Sequence, residues 1–164
     1  MNESAFVKDV SGCYTLARPV SADEVVGQAE HIIKERVVRM DWMSDPTAAR
    51  KWLATKLAGK EHEVFGVIYL NTRHQVLAYD ELFRGTIDGC SVPPREVVKE
   101  ALRHNAAQVI LFHNHPSGIP EPSDADKRLT QRLKAALGTV DIRVLDHIVV
   151  GGGDCISFSE RGLL

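Results

Sequence analysis

Residues 109–126 read VILFHNHPSGIPEPSDAD, and the fold turns on them. Val109, Ile110, Leu111 and Phe112 make an apolar run of the kind buried on both faces of a sheet. The run delivers His113 and His115 on one face, because side chains two apart on an extended chain point the same way. Pro116 ends the strand, since it has no N–H to give to a ladder. Gly118, Pro120 and Pro122 turn the chain, and Ser123 stands as the N-cap of a helix with Asp126 three residues on. Two imidazoles leaving a strand and one carboxylate starting a helix can converge on a single ion. Ligands of N, N and O type leave a fourth tetrahedral position open, which is how a catalytic rather than a structural zinc site is built. Each part alone has a plainer explanation: paired histidines occur on surface loops, and S-x-x-D is a common helix cap. The letters H-N-H also invite a nuclease reading, but no partner hairpin and no zinc-knuckle cysteine pairs accompany them.

Outward from this stretch, strands and helices alternate. Downstream, Asp126 to Leu137 reads as a helix with Leu129, Leu133, Ala136 and Leu137 inward, stopped by Gly138. Its Lys127, Arg128, Arg132 and Lys134 are most simply a solvated face. Ile142 to Val150 is another buried-type strand, which favours a core or edge position for His147 over one behind the ligands near the ion, and leaves it out of the metal set. Gly151 to Asp154 is a tight turn, not a phosphate loop, and Cys155 to Phe158 a last short strand. Upstream, Arg95 to about His104 forms a helix with Val97, Val98, Ala101 and Leu102 inward. Glu63 to Leu70 and Val76 to Phe83 form a hairpin of two central strands.

Nearer the start, Asp45-Pro46 opens a helix ending at Gly59, with Ala49, Trp52, Leu53, Lys56 and Leu57 as its stripe. Ser21 to Glu24 is a capping box for an earlier packing helix carrying Val25, Val26, Ala29, Ile32, Ile33 and Val37. Residues 1–19 show no period and read as a loosely ordered or partly extended arm. The fold class expected is α/β: a mixed central sheet flanked by helices.

The motif resembles the JAMM signature of JAB/MPN metalloproteases, in the form carried by bacterial RadC-like proteins (the UPF0758 group). Its core is His113-Asn114-His115-Pro116 followed by Ser123-x-x-Asp126. Glu81 to Thr86, Pro94 to Val98, Asn105 to Ala107, Val144 to His147 and Ser159 to Gly162 are also similar to RadC-like segments. The resemblance spans residues 45–164, leaving 1–44 as an N-terminal arm and helix. It implies a sheet of the deaminase-like architecture, one zinc ion on His113, His115 and Asp126, and hydrolysis of a peptide or isopeptide bond by activated water. Glu63, in Glu63-Val64-Phe65-Gly66, is similar to the E-x-x-G segment where JAMM enzymes place their general acid/base. Glu61 is the competing candidate, and a strand-end glutamate is otherwise merely solvated. Ser123 is expected to hydrogen-bond the developing oxyanion. The implied partner is a peptide or protein substrate, and JAMM relatives can cleave ubiquitin-like conjugates. Longer RadC proteins carry an N-terminal helix-hairpin-helix region, for which the first residues here are too few, so a short version of the kind found on mobile elements is expected.

The chain has 164 residues, 44% hydrophobic and 26% charged, enough for one core. A net charge of -2 gives no global basic field for nucleic acid. Cys13, Cys90 and Cys155 are odd in number and widely spaced, which points to reduced thiols and a cytoplasmic setting. No apolar run is long enough for a membrane span, and no signal-peptide pattern opens the chain. Zinc deaminase chemistry is disfavoured because H-x-E with P-C-x-x-C is missing. A nuclease or phosphoesterase would normally use more carboxylate ligands or two metals. The other reading kept open is a RadC-like DNA-repair-associated or interaction module with a non-catalytic metal site. Oligomeric state is not legible.

Overall fold

The computed structural model describes residues 5–39, 46–85 and 91–164. Along the chain come strands β1 (Phe6–Lys8) and β2 (Tyr14–Leu16), helices α1 (Ala22–Arg39) and α2 (Pro46–Leu57), and strands β3 (Val64–Leu70) and β4 (Val76–Arg84). Helix α3 (Pro94–Arg103), strand β5 (Gln108–Asn114), helix α4 (Asp124–Gly138) and strands β6 (Arg143–Gly151) and β7 (Asp154–Ser157) follow. The order β4-β3-β5-β6-β7 makes one five-stranded sheet. Only β5 and β6 run parallel; the other pairs are antiparallel, so the sheet is mixed as expected.

The apolar runs form the middle of this sheet because both faces are covered. On β5, Ile110 and Phe112 face α2, where they meet Trp52, Leu53 and Leu57. Val109 and Leu111 face the other way, onto Val97 and Ala101 of α3 and Leu133 and Leu137 of α4. His113 continues this odd-numbered face and so lies on the side of the sheet that carries α4. At about 25 cal/mol per Å² of apolar surface removed from water, such two-sided burial is the main support of the fold.

Several expectations need correction. Strand β4 is an edge strand, not a central one; its Asp80 and Glu81 are polar residues that a strand covered on both faces would not carry. Residues 6–16 form a short hairpin whose turn is held by Asp9, the carboxylate accepting from the Ser11 and Cys13 amides, both at 2.9 Å. Helix α1 does start at the Ser21 capping box, with Ser21 N–H on Glu24 at 2.9 Å and Glu24 N–H on Ser21 Oγ at 3.2 Å. It packs loosely, however: Val25 and Val26 are half exposed, and among the described residues the main contacts of α1 are with α2 and the edge strand β4. Leu102 also points to solvent, while Val97 and Ala101 carry the inward face of α3. Asp45, the expected cap of α2, and Cys90 lie outside the described residues. Among the described residues no helix is long and apolar enough to cross a membrane.

Candidate metal centre

His113, the penultimate residue of β5, and His115, just beyond it, bring their Nε2 atoms to 3.0 Å of one another. The Asp126 carboxylate stands 3.3 Å from His113 Nε2 through Oδ1 and 3.4 Å from His115 Nε2 through Oδ2. Two ligands about 2.05 Å from a tetrahedral ion lie about 3.3 Å apart. The N–N and N–O separations are near that spacing, with Asp126 meeting each ring through a different oxygen. Asp126 reaches this place as the third residue of α4, which Ser123 caps in a complete capping box. The same Asp126 Oδ2 accepts from Ser123 N–H and from Ser123 Oγ–H, both at 2.7 Å. Cap and ligand are thus one carboxylate.

Hydrogen bonds behind the imidazoles set which nitrogen faces the cluster. Thr130 Oγ donates to the Asp126 carbonyl at 2.7 Å, so it accepts from His147 Nδ1, also at 2.7 Å. His147 Nε2 is then left as an acceptor for His113 Nδ1–H, 2.8 Å away, and His113 Nε2 keeps its lone pair. His147 is fully buried, and burial pushes its pKa well below the ordinary histidine value, which agrees with a neutral ring. On the other side, His115 Nδ1 donates to the Ile119 carbonyl at 2.8 Å and leaves its own Nε2 lone pair inward. Two nitrogen lone pairs and a carboxylate aimed at one point demand positive charge there. The direction of the shifts agrees. The Asp126 carboxylate, which would hydrogen-bond the protonated ring, raises His115 against the effect of burial. Burial opposes ionisation of Asp126, yet the two imidazoles beside it and the hydrogen bonds from Ser123 hold it far below the usual carboxylate range. The donor set fits a borderline cation such as zinc better than magnesium or calcium, which take oxygen.

His115 and Asp126 line a cleft of about 970 Å³ that Glu63 also lines. Burial pushes the Glu63 carboxyl above its ordinary pKa, with Asp126 adding to the shift and the two histidines opposing it. Its position is set by Asn114, the residue between the two histidines, which sequence reasoning passed over. Asn114 is buried; its Oδ1 accepts from Val64 N–H at 2.8 Å and its Nδ2 donates to the His62 carbonyl at 3.2 Å. It therefore clamps the backbone on either side of Glu63. Glu61 is exposed and does not line the cleft. Ser123 lines it, with its hydroxyl proton directed at Asp126. A second grouping, Asp80, Glu100 and His104, is only half-buried, and the Arg103 guanidinium lies against all three.

The sequence pattern of the RadC-like JAB domain matches residues 43–163. The chain belongs to the RadC-like JAB family. Among its relatives, a UPF0758 protein of Nitrosococcus oceani is 58% identical over 132 residues, covering 80% of this chain and 59% of that protein. One of Vibrio cholerae is 52% identical over 151 residues, covering 92% and 95%. One of Marinobacter nauticus is 51% identical over 148 residues, covering 90% and 66%. The chain thus spans about three fifths to two thirds of two of these relatives and nearly all of the third. In this RadC-like JAB domain the loop from Pro116 to Pro122 packs directly on the β6–β7 turn: a Cβ at Gly151 would lie 2.7 Å from Pro120 N and 2.8 Å from the Ile119 carbonyl carbon. That contact seats the carbonyl that orients His115.

Proposed function

We propose that this RadC-like JAB domain is a zinc-dependent hydrolase that cuts a peptide or isopeptide bond. The observation that carries the reading is the convergence of His113, His115 and Asp126, whose ligand atoms lie within 4.8 Å of one another, beside a cleft that also holds Glu63. His113, His115 and Asp126 would hold the ion. When bound, zinc supplies a Lewis acid that brings the pKa of a water near neutrality and polarises a carbonyl. Glu63 takes the proton of the attacking water as its oxygen adds to the carbonyl carbon. It returns that proton to the amine nitrogen as the C–N bond breaks. A carboxyl whose pKa burial has raised is suited to both halves of this transfer. His147, through His113, and the Ile119 carbonyl, through His115, hold the two rings in the tautomers that the site requires. The Ser123 hydroxyl turns from Asp126 to the oxyanion, an interaction worth about 3 kcal/mol at comparable sites. The substrate is a peptide or protein, with ubiquitin-like conjugates one class to screen.

Metal content and peptide turnover test this together. Near one zinc per chain is expected in the wild type, almost none in the His113→Ala, His115→Ala double variant, and zinc without turnover in Glu63→Gln. Folded wild type that refuses zinc overturns the reading. Salt-dependent DNA binding that does not need His113 or His115 would favour the DNA-repair-associated module instead.

A further inference from the structure

The cleft continues from the candidate metal centre along α4. Ala125, Arg128, Leu129 and Arg132 line it, which is the i, i+3, i+4, i+7 stripe of one helix face, and Arg95 from the start of α3 closes the far side. Sequence reasoning gave these arginines to a solvated face; Arg128 and Arg132 are indeed exposed, and the structure places that face along the cleft. Among the described residues neither Arg128 nor Arg132 has a carboxylate partner, and Arg95 has only a distant one, Glu96 at 3.7 Å, which Lys99 shares at 3.6 Å. The neighbouring Asp124 is engaged elsewhere, by Lys127 at 3.1 Å. Three exposed arginines thus border the cleft that also holds the carboxylates of Glu63 and Asp126, in a chain whose net charge is -2. Positive charge gathered in one cleft of an acidic protein is a focusing device for an anion.

We propose that Arg95, Arg128 and Arg132 form an anion-binding subsite that selects substrates carrying a carboxylate a short distance from the bond to be cut. The proposal rests on the hydrolase reading of the adjoining centre. Arg132 follows Asp126 by six residues, about 9 Å along the helix axis at 1.5 Å per residue. An extended peptide covers that distance in about three residues. The selected carboxylate therefore sits two or three residues from the scissile bond, either on an acidic side chain or at the chain end. The planar fork of an arginine guanidinium matches the two oxygens of one carboxylate. A nucleic acid would instead ask for a longer basic track, touching many phosphates.

Binding without turnover tests this. Zinc-loaded Glu63→Gln protein is titrated, by fluorescence anisotropy, into three labelled alanine-rich hexapeptides: a glutamate-containing amide, its glutamine twin, and that twin with a free C-terminal carboxylate. At least one carboxylate peptide is expected to bind about tenfold more tightly than the neutral twin, and which one does so identifies the carboxylate recognised. Adding Arg128→Gln and Arg132→Gln should shrink the preference below about twofold, with zinc content unchanged; Arg95→Gln serves as a second, independently folding variant with the same expectation. Equal binding of all three peptides overturns the subsite, as does a preference that survives loss of the arginines. A decathymidylate that outcompetes both carboxylate peptides in an arginine-dependent way overturns it in favour of phosphate. Carboxylate preference with no cleavage by the zinc-loaded wild type leaves the subsite standing and removes the hydrolase reading, so the two fail separately.

Discussion

His113 is held at both nitrogens, and the two contacts have different origins. Its Nε2 faces a motif residue, Asp126, while its Nδ1 meets His147, 34 positions away in the chain. That buried partner fixes the proton on Nδ1 and leaves Nε2 as the acceptor, the form that a metal ligand would need. Replacing His147 with Leu leaves a buried N–H and the Thr130 hydroxyl without their partner. Zinc affinity, measured by competition with a chromophoric chelator, should fall about 10- to 100-fold, whereas His115 and Asp126 keep the site partly assembled. Unchanged affinity would show that His147 only fills space. The imidazole pair was legible because spacing alone puts it on one face. His147 was read as a core histidine, and buried it is; its contact with His113 depends on a register shift between β5 and β6 at Val109/Ile110 that no local pattern announces.

At the scale of elements, the site is a joint between the end of β5, the start of α4 and the β6–β7 turn. His115 N–H still pairs with the Val150 carbonyl at 2.8 Å, so the second ligand is tied to β6 although the strand proper has ended. The loop that follows then lies against Gly151 and Gly152, with no room for a side chain at either. A Gly151→Ala substitution must push backbone, not a flexible side chain, and it moves the Ile119 carbonyl away from His115 Nδ1. The expected outcome is a protein that retains its far-UV circular dichroism and loses zinc affinity by tenfold or more, compared with little change for an alanine at Gly138, where the backbone is helical and a Cβ meets nothing within 4 Å. The glycines read as a hairpin turn, and they form one; why Gly151 admits no substitute is a packing fact between segments 30 residues apart.

Across the whole molecule, Asp146 links sheet to tail. It is buried and accepts from Ser157 Oγ at 2.6 Å, His147 N–H at 2.7 Å and Ser159 N–H at 2.9 Å. Burial nevertheless outweighs these bonds and raises its pKa above the ordinary aspartate value. A raised carboxyl means that the folded chain binds the proton more tightly than the unfolded one, so this group's contribution to stability falls as pH rises from the unfolded pKa, about 3.9, to the folded one. Asp146→Asn keeps the acceptor for both amides and removes the titration. Across that window the wild type should lose stability relative to this variant, measured as the difference in urea midpoint at each pH, with the gap constant below about pH 3.5. A gap that does not vary with pH would show that Asp146 titrates alike in both states.

The alternation of apolar runs with capped helical patterns, and the H-N-H-P with S-x-x-D spacing, were determined by the sequence itself. Each is a local consequence of pleat, helix period and cap chemistry, and the mixed sheet, the Ser123 cap and the meeting of His113, His115 and Asp126 follow from them. Tertiary structure alone decided that β4 lies at an edge, that α1 leaves Val25 and Val26 half exposed, that Asn114 clamps the backbone beside Glu63, and that Arg128 and Arg132 border the cleft. The physical reason is common to all four: a side chain's direction follows from its own segment, but what lies opposite it depends on how segments distant in the chain are registered and packed.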